Sequence, residues 1–192
     1  MQLSNGAASR GLLTLPSVGQ FCGVRLNRVF HLAARGDAPM IQTMSRAFED
    51  FPIGTRLVST GYPITADAIM DFGRKFDPQI FHHDPDAAEK TLFGGLAASG
   101  WHTAAVSMRL FVDTMHVAGG IIGLGVDELK WPNAVRPGDE LRLEIEILEA
   151  RRSKSRPGYG IIRIRNVTKN QRDEVVQSFM VNTMLPRRKV DL

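Results

Sequence analysis

One long amphipathic helical pattern followed by four strand-like segments fills the second half of the chain, and this order restricts the possible folds. The helical pattern covers residues 101–117 and ends at the Gly119–Gly120 pair. Four segments of β-type sequence follow, at residues 121–132, 139–152, 158–170 and 173–186. One helix followed by consecutive strands joined by turns is typical of an α+β domain with an antiparallel sheet.

The second strand segment alternates apolar and polar residues most clearly. Leu141, Leu143 and Ile145 fall on one face, and Arg142 is among the polar residues of the other face. The third segment, residues 158–170, alternates in the same way. A period of two predicts strands that bury one face against a core.

The apolar faces of these strands need a cover, and the long helix is the only segment of sufficient length. We therefore expect the sheet to wrap around this helix, as in the hot-dog architecture. Ala105, Met108, Val112 and Met115 share one apolar face of the helix. A single sheet of this size has exposed edges, which favour pairing with a second copy, so we expect a homodimer.

Two shorter helical signals precede the long helix. Thr65 is a plausible N-cap for a helix over residues 66–76. Asp84 and Pro85 have the N-cap and first-position chemistry of a second short helix. Residues 93–100, "FGGLAASG", contain three glycines in eight residues and are predicted to form a loop.

The composition of the chain excludes several function classes. Of 192 residues 43% are apolar and 23% charged, as in one ordinary soluble domain. Cys22 is the single cysteine, so no internal disulfide is possible, and no apolar run is long enough to cross a bilayer. The net charge of +4 resides mostly in residues 1–43, where four arginines face one aspartate. We therefore expect neither a nucleic-acid partner nor a membrane partner.

Residues 1–43 differ from the rest of the chain because they are rich in Gly, Ala, Ser and Arg and have no sustained period. We predict that they are dispensable and that the domain comprises residues 44–192. They could be a disordered tail, upstream sequence before a start at Met44, or a mitochondrial transit peptide. We expect a cytoplasmic protein, or one of the mitochondrial matrix if the transit peptide is real.

The stretch "FDPQIFHHDPDAAEKTLFGG" at residues 76–95 collects Asp77, His82, His83 and Asp84 within eight residues. Such a cluster suggests an acid–base pair, a metal site or a polar turn. Asp84 is best explained as a helix cap, and His83 as a neighbour of His82 that points elsewhere. A metal site is disfavoured because adjacent histidines on an extended loop point apart and no third ligand cluster exists.

From residue 76 to residue 103, "FDPQIFHHDPDAAEKTLFGGLAASGWHT", the chain resembles the MaoC-like dehydratases. These form the (R)-specific enoyl-CoA hydratase branch of the hot-dog superfamily. Asp77, His82 and Asp84 match the spacing of that family, and Phe93 and Gly100 match its later landmarks. The later segment "GVDELKWPNAVRPGDEL" is also similar, so the resemblance covers about residues 46–186.

Three positions depart from the family pattern. Gln79 stands where an asparagine is common, Ile80 where a proline is common, and Ser99 where a histidine is common. Gln79 keeps an amide that can do the same orienting work.

The resemblance implies the reversible addition of water to a trans-2-enoyl thioester, which gives a 3-hydroxyacyl thioester. Asp77 and His82 would transfer the protons. The N–H of Gly100, at the start of the long helix, would stabilise the enolate-like oxygen. The other residues expected to contact the substrate are Gln79, Phe81, Phe93, Ser99, Trp101 and His102.

Two other functions stay open at this point, a hot-dog acyl-CoA thioesterase and a non-catalytic protein that binds acyl thioesters. Asp77 and His82 at five-residue spacing favour the hydratase. We expect a role in fatty acid metabolism, with no cofactor apart from the coenzyme A of the substrate. The length of the acyl chain, and the choice between coenzyme A and acyl carrier protein, stay open.

Overall fold

The structure of the protein is a computed structural model that describes residues 45–188. The segment 1–43, predicted to lie outside the domain, falls outside the described residues. After a 3-10 helix at Phe48–Asp50, the elements are β1 (Arg56–Val58), β2 (Tyr62–Pro63), α1 (Ala66–Phe76), α2 (Ile80–His83), α3 (Pro85–Ala88), α4 (Gly100–Met115), β3 (Ile122–Lys130), β4 (Glu140–Arg152), β5 (Tyr159–Lys169) and β6 (Val175–Pro186). Within residues 45–188, no helix combines the length and the hydropathy needed to cross a bilayer.

The strands form one antiparallel sheet in the order β1-β4-β5-β6-β3, and β2 also pairs with β4. The four predicted strands and the α+β class are therefore confirmed. The order differs from a simple meander, because β3 pairs with β6 instead of β4. Residues 131–139 connect β3 to β4, and the Ala98 N–H donates to the Val135 carbonyl on this connection, so it packs on the loop that precedes α4.

The sheet buries the faces that the alternating pattern predicts. In β4 the inward side chains are at most 2% exposed; they are Leu141, Leu143, Ile145 and Ile147. In β5 the inward residues Ile162, Ile164 and Asn166 are fully buried. Burying this apolar surface between the sheet and α4 is the main source of stability for such a layer.

The central helix buries a different face from the one indicated by the spacing of Ala105, Met108 and Val112. Met108 and Val112 are each 50% exposed, and Ala105 is also exposed. The apolar residues that α4 packs into the core are Val106, Leu110, Phe111 and Met115. The sequence could not distinguish the two faces, because α4 is apolar on both.

The short helices support the site from one side. The Thr65 hydroxyl accepts the Ala68 N–H at 3.1 Å, which confirms the predicted N-cap of α1. The Asp84 carboxylate accepts the Ala87 N–H at 3.0 Å, so the predicted capping role of Asp84 is also confirmed. The sequence prediction of an extended loop around His82 is wrong, because one helical turn, α2, carries this residue.

Candidate active site

A cavity of about 360 Å³ lies where α2, the glycine-rich loop 93–100, the first turn of α4 and the β3–β4 connection meet. Eight of the nine site residues expected from the sequence line it, namely Asp77, Gln79, Phe81, His82, Phe93, Ser99, Gly100 and Trp101. Residues that the sequence did not single out complete the wall, among them Thr103, Trp131, Asn133 and Val135. Residues distant in sequence therefore surround one space.

His82 is buried, and its surroundings fix the position of its ring protons. The Nδ1 atom lies 2.7 Å from the carbonyl oxygen of Ala97. A carbonyl oxygen only accepts hydrogen bonds, so Nδ1 carries a proton and donates it. In the neutral ring Nε2 is then unprotonated, and it lies 3.3 Å from the Asp77 Oδ2 atom. Nε2 is therefore a proton acceptor at the cavity wall.

Asp77 is held by two hydrogen bonds from its neighbours. The Ser99 hydroxyl donates to Asp77 Oδ2 at 2.7 Å, and the Gln79 side-chain amide donates to Oδ1 at 2.8 Å. Gln79 therefore orients the Asp77 carboxylate through its side-chain amide, as we expected from the sequence. Ser99, which stands where the family often has a histidine, is a donor to the same carboxylate. Both Asp77 oxygens thus have a fixed donor, and Oδ2 also faces His82.

These contacts determine the charge of Asp77. Burial raises the pKa of its carboxyl, but the hydrogen bonds from Ser99 and Gln79 outweigh this effect and hold the pKa below its usual range; positive charge on the His82 ring, whenever it is protonated, acts in the same direction. Asp77 is therefore a carboxylate at neutral pH. Since its pKa is lower in the folded state than in the unfolded chain, its ionised form stabilises the fold above the unfolded pKa. This contribution disappears as the pH falls through the folded pKa.

Replacing Ser99 tests the cause of this shift. In Ser99→Ala the pKa of Asp77 should rise, because the donor at Oδ2 is lost while the burial persists. As the pH is lowered, the free energy of unfolding should then begin to decrease at a higher pH than in the wild type. A carbon-13 NMR titration of the Asp77 carboxyl measures the change. An Asp77 pKa that does not move in Ser99→Ala would show that the hydroxyl does not hold the carboxylate.

The first turn of α4 points at the cavity. Ser99 is its N-cap, and the Ser99 hydroxyl accepts the Trp101 N–H at 3.2 Å. The first N–H groups of a helix lack intrahelical acceptors and carry partial positive charge. Gly100 brings this helix end close to the Trp131 indole: a Cβ at Gly100 would lie 2.8 Å from Trp131 Cε2. Glycine is therefore required for this close approach.

Aromatic side chains form the apolar part of the wall. Phe81 packs edge-on against the His82 ring at 4.5 Å between centroids, and Phe93 contacts Phe81 at 4.8 Å. On the opposite side Trp131 packs edge-on against Trp101 at 5.5 Å, and the Trp131 Nε1–H donates to Gln177. An apolar cavity with a few convergent polar groups is the usual form of a small-molecule site.

Two histidines lie apart from the cavity. His102 does not line it; its ring stacks on Phe72 at 4.9 Å, and burial lowers the pKa of His102. The contact with substrate that we expected for His102 therefore has no support in this geometry. His83 does not line the cavity either. Among residues 45–188, no group of three or more His, Cys, Asp and Glu side chains is arranged to hold a metal ion.

Sequence reasoning missed two parts of this site for different reasons. The Ala97 carbonyl, which fixes the His82 tautomer, is a backbone group and leaves no trace in residue identity. Trp131 is visible in "LKWPNA", but only the packing of its indole on Gly100 shows that it belongs to the cavity. A tryptophan at the end of the predicted strand segment 121–132 was the available signal.

Known proteins resemble this chain over most of the described range. The family model described as "MaoC like domain" matches residues 50–169. A structure of the MaoC-like dehydratase from Rhodospirillum rubrum is 48% identical and superposes with a TM-score of 0.72, covering 76% of this chain and all of that one. The uncharacterized protein YdeM of Bacillus subtilis is 30% identical over 140 residues, 72% of this chain and 98% of that protein.

More distant structures show the same fold. The (R)-hydratase PhaJ1 from Pseudomonas aeruginosa is 22% identical, with a TM-score of 0.62 over 75% of this chain and 88% of that one. The sheet wrapped around α4 is the hot-dog fold, so the predicted architecture is confirmed. Because the family model covers more than half of the sequence, this chain belongs to the family of proteins with a MaoC-like domain.

Proposed function

We propose that the protein is a hydratase/dehydratase that adds water reversibly to a trans-2-enoyl thioester and forms a 3-hydroxyacyl thioester. The observation that carries this proposal is the pairing of His82 Nε2 with the Asp77 carboxylate at 3.3 Å on the cavity wall. The dehydratase from Rhodospirillum rubrum, at 48% identity, supports the same class of reaction.

In the proposed reaction, a water molecule binds in the cavity beside the pair, within hydrogen-bond distance of both Asp77 Oδ2 and His82 Nε2. As its oxygen bonds to the β-carbon, Nε2 accepts a proton, and the electrons of the double bond move to the thioester oxygen. The Asp77 carboxylate stabilises the imidazolium that forms, because opposite charges lie close in a partly buried site. The imidazolium then returns the proton to the α-carbon, so the elements of water are added.

The intermediate of this reaction carries negative charge on the thioester oxygen. In this proposal the N–H of Gly100, at the first turn of α4, stabilises that oxygen; the position of Gly100 on the cavity wall and the partial positive charge of the helix end support this role. Removal of one such donor in other enzymes costs about 2.7–4 kcal/mol of transition-state stabilisation. No added cofactor takes part in the proposed chemistry, since coenzyme A or an acyl carrier belongs to the substrate.

Purified protein tested on a panel of trans-2-enoyl-CoAs of varied chain length should show loss of the enoyl absorbance. Running the same reaction with a reagent that detects free thiol distinguishes the hydratase from a thioesterase, which is the main alternative. Release of free thiol without loss of the enoyl group would identify a thioesterase and contradict the proposal. Binding of the thioesters with neither change would identify a non-catalytic binding protein.

We also propose a homodimer formed through the β3 edge. β3 is the last strand of the sheet, and the apolar side chains of Ile122, Leu124 and Val126 are 45–53% exposed. Met108 and Val112 leave a second apolar surface on α4 uncovered in the described part of the chain. A second copy would pair with the open edge and remove this surface from water.

Light scattering at micromolar concentration should report twice the mass of one chain. Val126→Lys should yield monomers, because it places a charge on the proposed contact edge. Val58→Lys is the matched control, since Val58 is 61% exposed on β1 at the opposite end of the sheet. A wild-type monomer, or dissociation by Val58→Lys alone, would contradict the β3 interface.

A further inference from the structure

Arg136, on the connection between β3 and β4, makes an unusual set of contacts. Its guanidinium donates three hydrogen bonds to backbone carbonyls of the glycine-rich loop: to Phe93 at 2.5 Å, to Gly95 at 3.0 Å and to Leu96 at 3.1 Å. The guanidinium also lies 5.9 Å from the centre of the Phe93 ring. Among the described residues it has no carboxylate partner, so its donors serve the loop.

The backbone of Arg136 is itself fixed. Residues 136–139 form a tight turn in which the Asp139 N–H donates to the Arg136 carbonyl at 3.1 Å. Gly138 occupies the third position with φ of +85°, as a type II turn requires. The Arg136 N–H donates to the carboxylate of Asp139, and Asp139 is 2% exposed. The guanidinium therefore projects from a rigid base.

The loop that Arg136 holds is the one that controls the catalytic pair. Directly after Leu96, the Ala97 carbonyl accepts the His82 Nδ1–H. Two residues further on, Ser99 donates to the Asp77 carboxylate. The loop has glycines at residues 94 and 95, both with positive φ, so its own conformational preference is weak. The three charge-assisted hydrogen bonds from Arg136 restrain this loop, which its own glycine-rich sequence does not do.

We propose that Arg136 is a positioning residue that keeps the Ala97 carbonyl on His82 Nδ1 and thereby keeps Nε2 free to accept a proton. This inference rests on the proposed hydratase function for its effect on turnover. Its effect on the imidazole does not depend on any reaction. If the loop moves, Nδ1 loses its acceptor, and the ring populates the tautomer with the proton on Nε2, which cannot accept a proton from water.

The variants Arg136→Met and Arg136→Lys test this role. Methionine keeps a long apolar side chain but no donor, and lysine keeps the charge but not the planar set of five N–H groups. In Arg136→Met we expect kcat to fall about tenfold to a hundredfold, with a smaller change in KM, because the reacting groups are misplaced. Arg136→Lys should lie between this variant and the wild type.

Nitrogen-15 NMR of the His82 ring measures which tautomer is present, and this measurement needs no substrate. The wild type should show a protonated Nδ1 and an unprotonated Nε2, whereas Arg136→Met should show averaged signals from two tautomers. Arg165→Met is the matched control, because Arg165 lies on the outer face of the sheet and pairs with Glu146. It should leave the tautomer and kcat unchanged.

An unchanged His82 tautomer in Arg136→Met and Arg136→Lys would overturn the inference, even if both variants melted at a lower temperature. If Arg136→Met fails to fold, the tautomer of Arg136→Lys decides the question alone. Failure of the proposed function appears differently. The tautomer would change as expected while no enoyl thioester is hydrated by the wild type.

Discussion

Asp77→Asn and His82→Ala should each reduce turnover of the best enoyl thioester by about two to four orders of magnitude. His82→Ala removes the Nε2 atom that we propose accepts the proton of water. Asp77→Asn keeps the shape of the side chain but loses the negative charge 3.3 Å from the imidazole. Because both residues act on one water in the proposed mechanism, the double variant should lose little more than the more impaired single variant.

His83→Ala is the internal control for this experiment. His83 is adjacent to His82 in α2 but does not line the cavity, so its variant should keep most of the activity. Circular dichroism should show that all four variants are folded. Normal turnover by Asp77→Asn would refute the hydratase mechanism. Loss of activity in His83→Ala but not in His82→Ala would show that the neighbouring histidine is the functional one.

The fold was predictable from the sequence to the extent that burial determines residue identity. β4 and β5 bury one face and leave the other partly exposed, so apolar and polar residues alternate along them, and the sequence shows this pattern. The pairing of β3 with β6 was not readable. Leu124 and Val126 are about half exposed, so their residue types are compatible with a β3 strand that pairs with either β4 or β6.

The face of α4 illustrates a second limit. The helix contacts the protein core through Val106 and Leu110 but also carries Met108 and Val112 on its exposed side. The spacing of apolar residues indicates which side chains are removed from water in the complete assembly. It does not indicate which of two apolar helix faces packs on the sheet of the same chain. A homodimer would account for both faces.

The candidate site was predictable where side chains carry the chemistry. Asp77 and His82 were found by their residue types and spacing, and the structure brings them within 3.3 Å of each other. Backbone groups such as the Ala97 carbonyl were invisible in the sequence, and Arg136 was not among the residues expected at the site. Its role depends on a loop about forty residues earlier in the chain, and sequence spacing carries no information about such a contact.

Gly73 is the position where a single added methyl group should have the largest effect on the scaffold of the site. It lies in the interior of α1, where glycine costs about 1 kcal/mol relative to alanine. Propensity alone therefore predicts that Gly73→Ala stabilises the protein. The packing predicts the reverse, because a Cβ at Gly73 would lie 2.9 Å from the carbonyl carbon of His82 and closer still to its oxygen.

The atoms in the way belong to the backbone of α2, so they cannot yield without moving His82 itself. We expect Gly73→Ala to lower the free energy of unfolding by about 1–3 kcal/mol, as overpacking in cores does. We also expect a loss of about a hundredfold in turnover, since a displacement near 1 Å would misplace the proposed base, His82. Urea denaturation and kcat measure the two effects. Gly158→Ala is the control, because no atom lies within 4 Å of its added Cβ and the residue lies outside β3. A Gly73→Ala variant that is more stable than the wild type and fully active would show that α1 does not determine the position of His82.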